Sequence, residues 1–178
     1  MKYFSKMRGT TKSPPAVGVK EVFWSWLGAM LGILLIGCLH YLVLAGVDLI
    51  LLIPPFGASA VLVFGAPKSP LAQPRNLIGG HAFAALVGVA CFKVFPDCLW
   101  FAAALAVATS IAVMHVTRTL HPPAGATTLI AVIGGEQIHA LGFMYAFIPV
   151  TAGALILLLV GLLFNNALQT RRYPQFWF

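Results

Sequence analysis

Apolar and polar positions divide the chain into six apolar runs, at about residues 22–45, 49–66, 77–95, 98–117, 121–135 and 141–165. Gly46-Val47-Asp48, the proline-punctuated stretch from Pro67 to Asn76, Pro96-Asp97 and Gly134-Gly135-Glu136-Gln137 punctuate them. A bilayer core of about 30 Å needs about 20 helical residues, so the longer runs predict membrane-spanning helices. Phe23, Trp24 and Trp26 open the first run, at the level where interfacial aromatics sit. That run is longer than a signal-peptide core and lacks a convincing cleavage site, so it reads as a retained first span.

Two runs are interrupted by paired prolines, which make continuous helix there unfavourable. Superposing Pro54 on Pro122 aligns Pro55 with Pro123, Gly57 with Gly125, Ala58 with Ala126 and Ser59 with Thr127. Matched breaks of this kind indicate an internal repeat. The predicted fold is an all-helical membrane protein of six segments, built as two three-segment repeats over 22–95 and 98–165. Segments two and five are broken at their Pro-Pro pairs. A polar, basic tail (1–21) precedes this domain, and a second tail (166–178) follows it.

Charge decides between four and six crossings. With six, and the N-terminus inside, Lys68, Arg75, Arg118, Arg171 and Arg172 join Lys2, Lys6, Arg8, Lys12 and Lys20 on the inner side. Only Lys93 fails, while Asp48, Asp97 and Glu136 all fall outside. The positive-inside rule therefore favours six crossings, and three segments per repeat make the repeats inverted. Segment five, 121–135, is short, but an extended entry at about 3.3 Å per residue makes up the length.

Proline suits the first position of a helix, so Pro55 and Pro123 predict half-helices over 55–66 and 123–134. Their starts would present the N–H groups of Gly57, Ala58 and Ser59, and of Gly125, Ala126 and Thr127. Helix starts favour anions by about 0.3–1 kcal/mol, more when partly buried. The hydroxyls of Ser59, Thr127 and Thr128 add donors. Two starts facing one gap would hold a small anion without a fixed charge, which suits release as well as binding. The competing explanation is that Gly-Ala-Ser/Thr only lets helices pack closely.

His121 precedes Pro122 where the first repeat has Ile53, so it breaks the internal symmetry. It is either a ligand or proton carrier, or a capping residue at the rim. His81, about one turn into segment three, and His115 are further candidates for the same cavity, whereas His40 and His139 read as packing and rim residues. Arg75, Asn76, His115 and Arg118 would form the inner mouth, unless the arginines serve orientation alone.

Composition narrows the class. The chain is 60% hydrophobic and only 8% charged, against about 25% charged in soluble proteins, so a polytopic membrane protein is predicted. The net charge of +7 then reflects topology and anionic lipid rather than nucleic acid. Cys38, Cys91 and Cys98 have no metal-binding spacing and read as inert thiols. The carboxylates Glu21, Asp48, Asp97 and Glu136 all lie at rims, and no catalytic motif occurs. No catalysis, metal or cofactor is expected.

The stretch His121-Pro122-Pro123-Ala124-Gly125-Ala126-Thr127-Thr128 resembles the signature of the HPP family of integral membrane proteins. So does the stretch from Pro55-Phe56-Gly57-Ala58-Ser59 through Gln73-Pro74-Arg75-Asn76 to Gly79-Gly80-His81. The similarity covers about residues 20–165. The family is usually described with four spans, and some bacterial members append CBS domains. Plant chloroplast members are linked to nitrite transport, so the resemblance implies passage of nitrite or a similar anion.

The expected function is thus a channel or transporter for a small monovalent anion, bound by Pro55, Gly57, Ala58, Ser59, His81, His121, Pro122, Pro123, Gly125, Ala126, Thr127 and Thr128. The expected location is a bacterial inner membrane with both termini cytoplasmic, and self-association is left open. The alternatives are a proton-coupled transporter of another solute, with His121 or His81 as relay, and a non-transporting scaffold or sensor.

Overall fold

The computed structural model describes residues 2–44 and 50–178. The predicted turn Gly46-Val47-Asp48, and with it the placing of Asp48, lies outside the described residues. After a short exposed turn of helix at Lys2–Ser5, the elements are α1 (Val19–Val43), α2 (Pro55–Gly65), α3 (Pro74–Val94), α4 (Leu99–Val116), α5 (Pro123–Ile133), α6 (Glu136–Leu141) and α7 (Ala152–Ala167). Among the described residues there is no strand. Four stretches are long and apolar enough to cross a membrane: α1, α3, α4 and the interrupted Glu136–Ala167, while α2 and α5 are shorter apolar helices.

Three boundaries differ from the sequence expectation, each for a local reason. The first helix starts at Val19 rather than 22, directly after the extended Gly18. The third starts at Pro74 rather than 77, because Gln73 is extended and Pro74 takes the first helical position. Arg75 and Asn76 therefore stand on a helix and not in a loop. The sixth segment is not one helix. Gly142, at φ 52°, ends α6, and Ile148 is driven out of helix (φ −129°, ψ 120°) by the proline that follows it.

Small residues let the helices approach closely, the usual device where lipid gives no hydrophobic drive between them. Phe64 of α2 lies over Gly28 and Gly32 of α1, and its ring meets Phe164 of α7 at 6.1 Å. Val63 packs on Gly161 of α7. On the other side, α5 lies on α3. A methyl group on Gly80 would stand 2.8 Å from the Thr119 carbonyl oxygen, and one on Gly88 would stand 2.8 Å from that of Thr128. Large apolar side chains such as Leu34, Trp100, Leu155 and Leu163 are exposed around the outside, as lipid-facing surface requires.

These contacts give the two short helices opposite directions. Along α5, His121 meets Gly80 and Ala131 meets Gly88, so α5 runs with α3. Along α2, Phe56 meets Gly153 and Val63 meets Gly161, so α2 runs with α7. Helix α7 is antiparallel to α1, with Leu157 on Gly32 and Phe164 on Gly28. It is also antiparallel to α3, because Gly153 meets the Phe56 ring that stands on His81 while Leu155 and Leu158 lie by the earlier Pro74 and Ile78.

The last residues fold back against the same end of the bundle. The Arg171 guanidinium is buried and donates to both Glu21 carboxylate oxygens (2.7 and 3.4 Å), the Phe64 carbonyl (3.1 Å), Asn165 Oδ1 (3.0 Å) and Ser25 Oγ (2.8 Å). Tyr173, also buried, donates to the Ala72 carbonyl at 2.7 Å. Burial pushes its phenol above the ordinary value, which keeps it a neutral donor. The Gln175 N–H donates to Gln73 Oε1, and the Gln73 amide donates to the carbonyls of Pro67 and Ser69. The 66–73 loop is thus held from below by the C-terminal segment.

Candidate functional site

A helix normally begins with several N–H groups lacking partners, which is costly away from water. Each short helix avoids this by its paired prolines. Pro54 and Pro55 have no N–H at all, and the next two N–H groups bond backwards, Phe56 to the Ile53 carbonyl (3.1 Å) and Gly57 to that of Pro54 (3.0 Å). The second start repeats the device, with Ala124 bonded to His121 (2.9 Å) and Gly125 to Pro122 (3.1 Å). The expected free amides of Gly57 and Gly125 are therefore already used. Gly57, Ala58, Pro122 and Ala126 also face the exterior. Ala58, Pro122, Pro123 and Ala126 line a shallow apolar groove together with Val61 and Leu62.

What lies between the two starts is a bonded polar cluster rather than a gap. Ser59 Oγ of α2 is 2.7 Å from His81 Nε2 and 2.9 Å from His121 Nε2. His81 Nδ1 is 2.7 Å from Thr127 Oγ1, and His121 Nδ1 is 2.8 Å from the Leu71 carbonyl oxygen. Ser59, His81, His121 and Thr127 are all fully buried. All four were among the twelve binding candidates read from the sequence, and they come from four separate elements: α2, α3, the lead into α5, and α5 itself.

The carbonyl end fixes where each hydrogen lies. A carbonyl only accepts, so neutral His121 carries its hydrogen on Nδ1 and must accept at Nε2. Ser59 then donates to His121 and accepts from His81 Nε2–H. His81 in turn accepts at Nδ1, so Thr127 donates to it. Every bond points the same way, from Thr127 through His81, Ser59 and His121 to Leu71.

Surrounding groups hold the cluster in shape. The Phe56 ring lies edge-on to His81 at 5.6 Å, and the two imidazoles lie 4.9 Å apart. Tyr145 donates to the Thr127 carbonyl (3.2 Å). Asn76 donates to the Leu120 carbonyl (2.8 Å), and Arg75 reaches that of Thr117 (3.4 Å). These last two fix the 117–121 stretch that carries His121. Gly80 lets that stretch lie directly on α3.

Several expected site residues stand elsewhere. Thr128 points towards α3 and α4. It donates to the carbonyls of Ala84 (3.2 Å) and Ala124 (3.3 Å) and accepts from Ser110 Oγ (2.8 Å), so it ties helices together. His115 and Arg118 are exposed and do not reach the cluster, because the chain turns away at Arg118, which adopts φ 56°. His40 accepts from the Leu51 N–H (3.2 Å), and His139 stacks on Phe92 at 3.7 Å while donating to the Val132 carbonyl (3.0 Å). Sequence reasoning missed Leu71, whose carbonyl leaves no trace in residue type. It also missed Tyr145, which a span read as continuous concealed.

The family described as HPP, transmembrane region, matches residues 14–174. The chain belongs to the HPP transmembrane family. Two transmembrane proteins of Dictyostelium discoideum are 47% identical over 180 residues and 46% identical over 182 residues, each match covering 99% of this chain. The HPP chain spans only 58% and 64% of the length of those two relatives. No solved structure matches it. Within this HPP domain, the His-Pro-Pro signature supplies both a buried imidazole and the donor-free start of α5 directly after it.

Proposed function

We propose that this integral membrane protein carries a small monovalent anion, with nitrite the leading candidate, and handles it at the cluster of Ser59, His81, His121 and Thr127. The observation that carries this reading is the burial of two imidazoles and two hydroxyls where two oppositely running half-helices begin. Polar side chains inside a membrane are costly and mark solute pathways by default. Hydroxyls and imidazole N–H groups can turn their donors to a nitrite oxygen without a fixed charge that would hold it. Passage requires the cluster to open, because each of its buried polar atoms already has a partner.

The six-segment inverted reading fits the same geometry. Helix α5 covers about 16 Å at 1.5 Å per residue, and the non-helical lead before it adds to that reach. The contacts of Arg171 with Glu21 and Phe64, and of Arg75 with Thr117, gather positive charge at one end. Lys93 lies at the other, over the Phe143 ring at 5.9 Å. Both termini then lie on the cytoplasmic side, around a single transmembrane domain.

Reconstitution of the purified chain in liposomes tests the reading. Nitrite, nitrate, formate and chloride would be screened for entry against empty vesicles. Nitrite entry well above background is expected, and background rates for all four anions would overturn it.

A further inference from the structure

We infer that the cluster is a proton relay, moving protons along Thr127–His81–Ser59–His121 as the anion crosses. This inference rests on the transport reading of the same site. It is carried by the continuity of the hydrogen bonds. A polar cluster that served only as glue would need each atom satisfied, with no connected path through it. Here four side chains form a single unbranched file that ends on the Leu71 carbonyl, at separations of 2.7, 2.7, 2.9 and 2.8 Å. With both rings neutral, each donor in it points towards Leu71.

The step balances without any co-reactant beyond water. A proton arriving at Thr127 Oγ1 displaces the hydroxyl hydrogen onto His81 Nδ1. The hydrogen on His81 Nε2 passes to Ser59 Oγ, and that of Ser59 passes to His121 Nε2. His121 then releases its Nδ1 hydrogen. Each residue ends with the hydrogens it began with, and both imidazoles have exchanged tautomers. The relay resets when the rings and hydroxyls reorient.

Release is the gated step. The Leu71 carbonyl can hold the His121 hydrogen but cannot carry it onward, so the proton leaves only when Leu71 moves and water reaches Nδ1. Leu71 belongs to the loop fastened by Tyr173 on Ala72 and by Gln175 on Gln73. Among the described residues Tyr145 also faces the file, bonding the Thr127 carbonyl rather than a ring nitrogen, and the Phe56 ring lies edge-on to His81. Arg75 is turned to Thr117.

Voltage-clamped liposomes containing the full chain and an internal pH dye test the relay, with nitrite entry recorded separately. An inward nitrite gradient at pH 7.5 should acidify the interior of wild-type vesicles. Ser59→Ala, which removes the hydroxyl that bridges the two imidazoles, should slow acidification at least about tenfold. Ser110→Ala, which removes a hydrogen bond to Thr128 outside the file, should leave it unchanged. Nitrite entry without acidification in wild type overturns the relay and leaves the anion reading standing. Proton movement driven by a pH gradient without nitrite entry supports the relay and removes nitrite as the solute. Neither flux in wild type overturns both. The wild-type arms decide whether or not Ser59→Ala folds. If it does fold, acidification at the wild-type rate also overturns the relay.

Discussion

The Nδ1 atom of His121 lies 2.8 Å from the carbonyl oxygen of Leu71, fifty positions earlier in the chain. This one contact orders the hydrogens of the whole buried file, because a carbonyl can only accept. At neutral pH, nitrogen-15 NMR of histidine-labelled protein in lipid should find His81 protonated on Nε2 and His121 protonated on Nδ1. Two rings in the same tautomer would contradict the ordered file.

Glycine is needed for space at Gly80 and not at Gly57. A Gly80→Ala methyl would meet the Thr119 carbonyl at 2.8 Å and the His121 Cβ at 2.6 Å. Backbone cannot yield as a side chain does, so the substitution should destabilise by about 1–3 kcal/mol, as overpacking does. Nothing lies within 4 Å of the equivalent position on Gly57. Gly57→Ala should therefore be neutral, or stabilising by about 0.5–1 kcal/mol through helix propensity. Unfolding in detergent distinguishes the two.

Thr127 and Thr128 are adjacent but should behave differently. Thr128→Val leaves Ser110 Oγ without its acceptor and should cost about 0.6–1.7 kcal/mol, the range for hydrogen bonds between membrane helices. Its nitrite flux, per folded protein, should stay near wild type. Thr127→Val removes the donor to His81 and should slow flux about three- to tenfold, the kinetic equivalent of one hydrogen bond. Flux and unfolding measured on the same preparations check both halves.

The C-terminal segment should be integral to the fold. Arg171 has a side chain only 2% exposed and binds α1, α2 and α7 at once. Arg171→Ala leaves Glu21 and the Phe64 carbonyl without their donor and should cost about 3–5 kcal/mol. Glu21→Gln, at the 35% exposed partner, keeps a hydrogen-bonding side chain and should cost less. A detergent-stability series in which Arg171→Ala matched wild type would contradict this role.

Much of the fold was legible in the sequence because lipid enforces a simple code. Apolar runs gave the helices, and paired prolines gave the two breaks. His81, His121, Ser59 and Thr127 could be nominated because each is a polar residue at membrane depth. What could not be read was direction. The same Pro-Pro that predicts a helix start also removes its donors, so the expected free amides at Gly57 and Gly125 turned back on their own carbonyls. The faces of short helices were equally hidden. With small residues all round, nothing in residue type distinguishes Ala58 and Ala126, which face outward, from Ala60 and Ala124, which are buried. The break at Ile148-Pro149 was signalled by its proline but masked by hydropathy on either side.

Nitrite uptake by the double variant Ser59→Ala/Thr127→Val in liposomes, compared with wild type at equal folded protein, bears most directly on the function. The two substitutions remove both hydroxyls of the file and leave the helices and both imidazoles in place. Uptake reduced to near the level of empty vesicles is predicted. Uptake equal to wild type would contradict the assignment of the cluster as the place where the anion crosses.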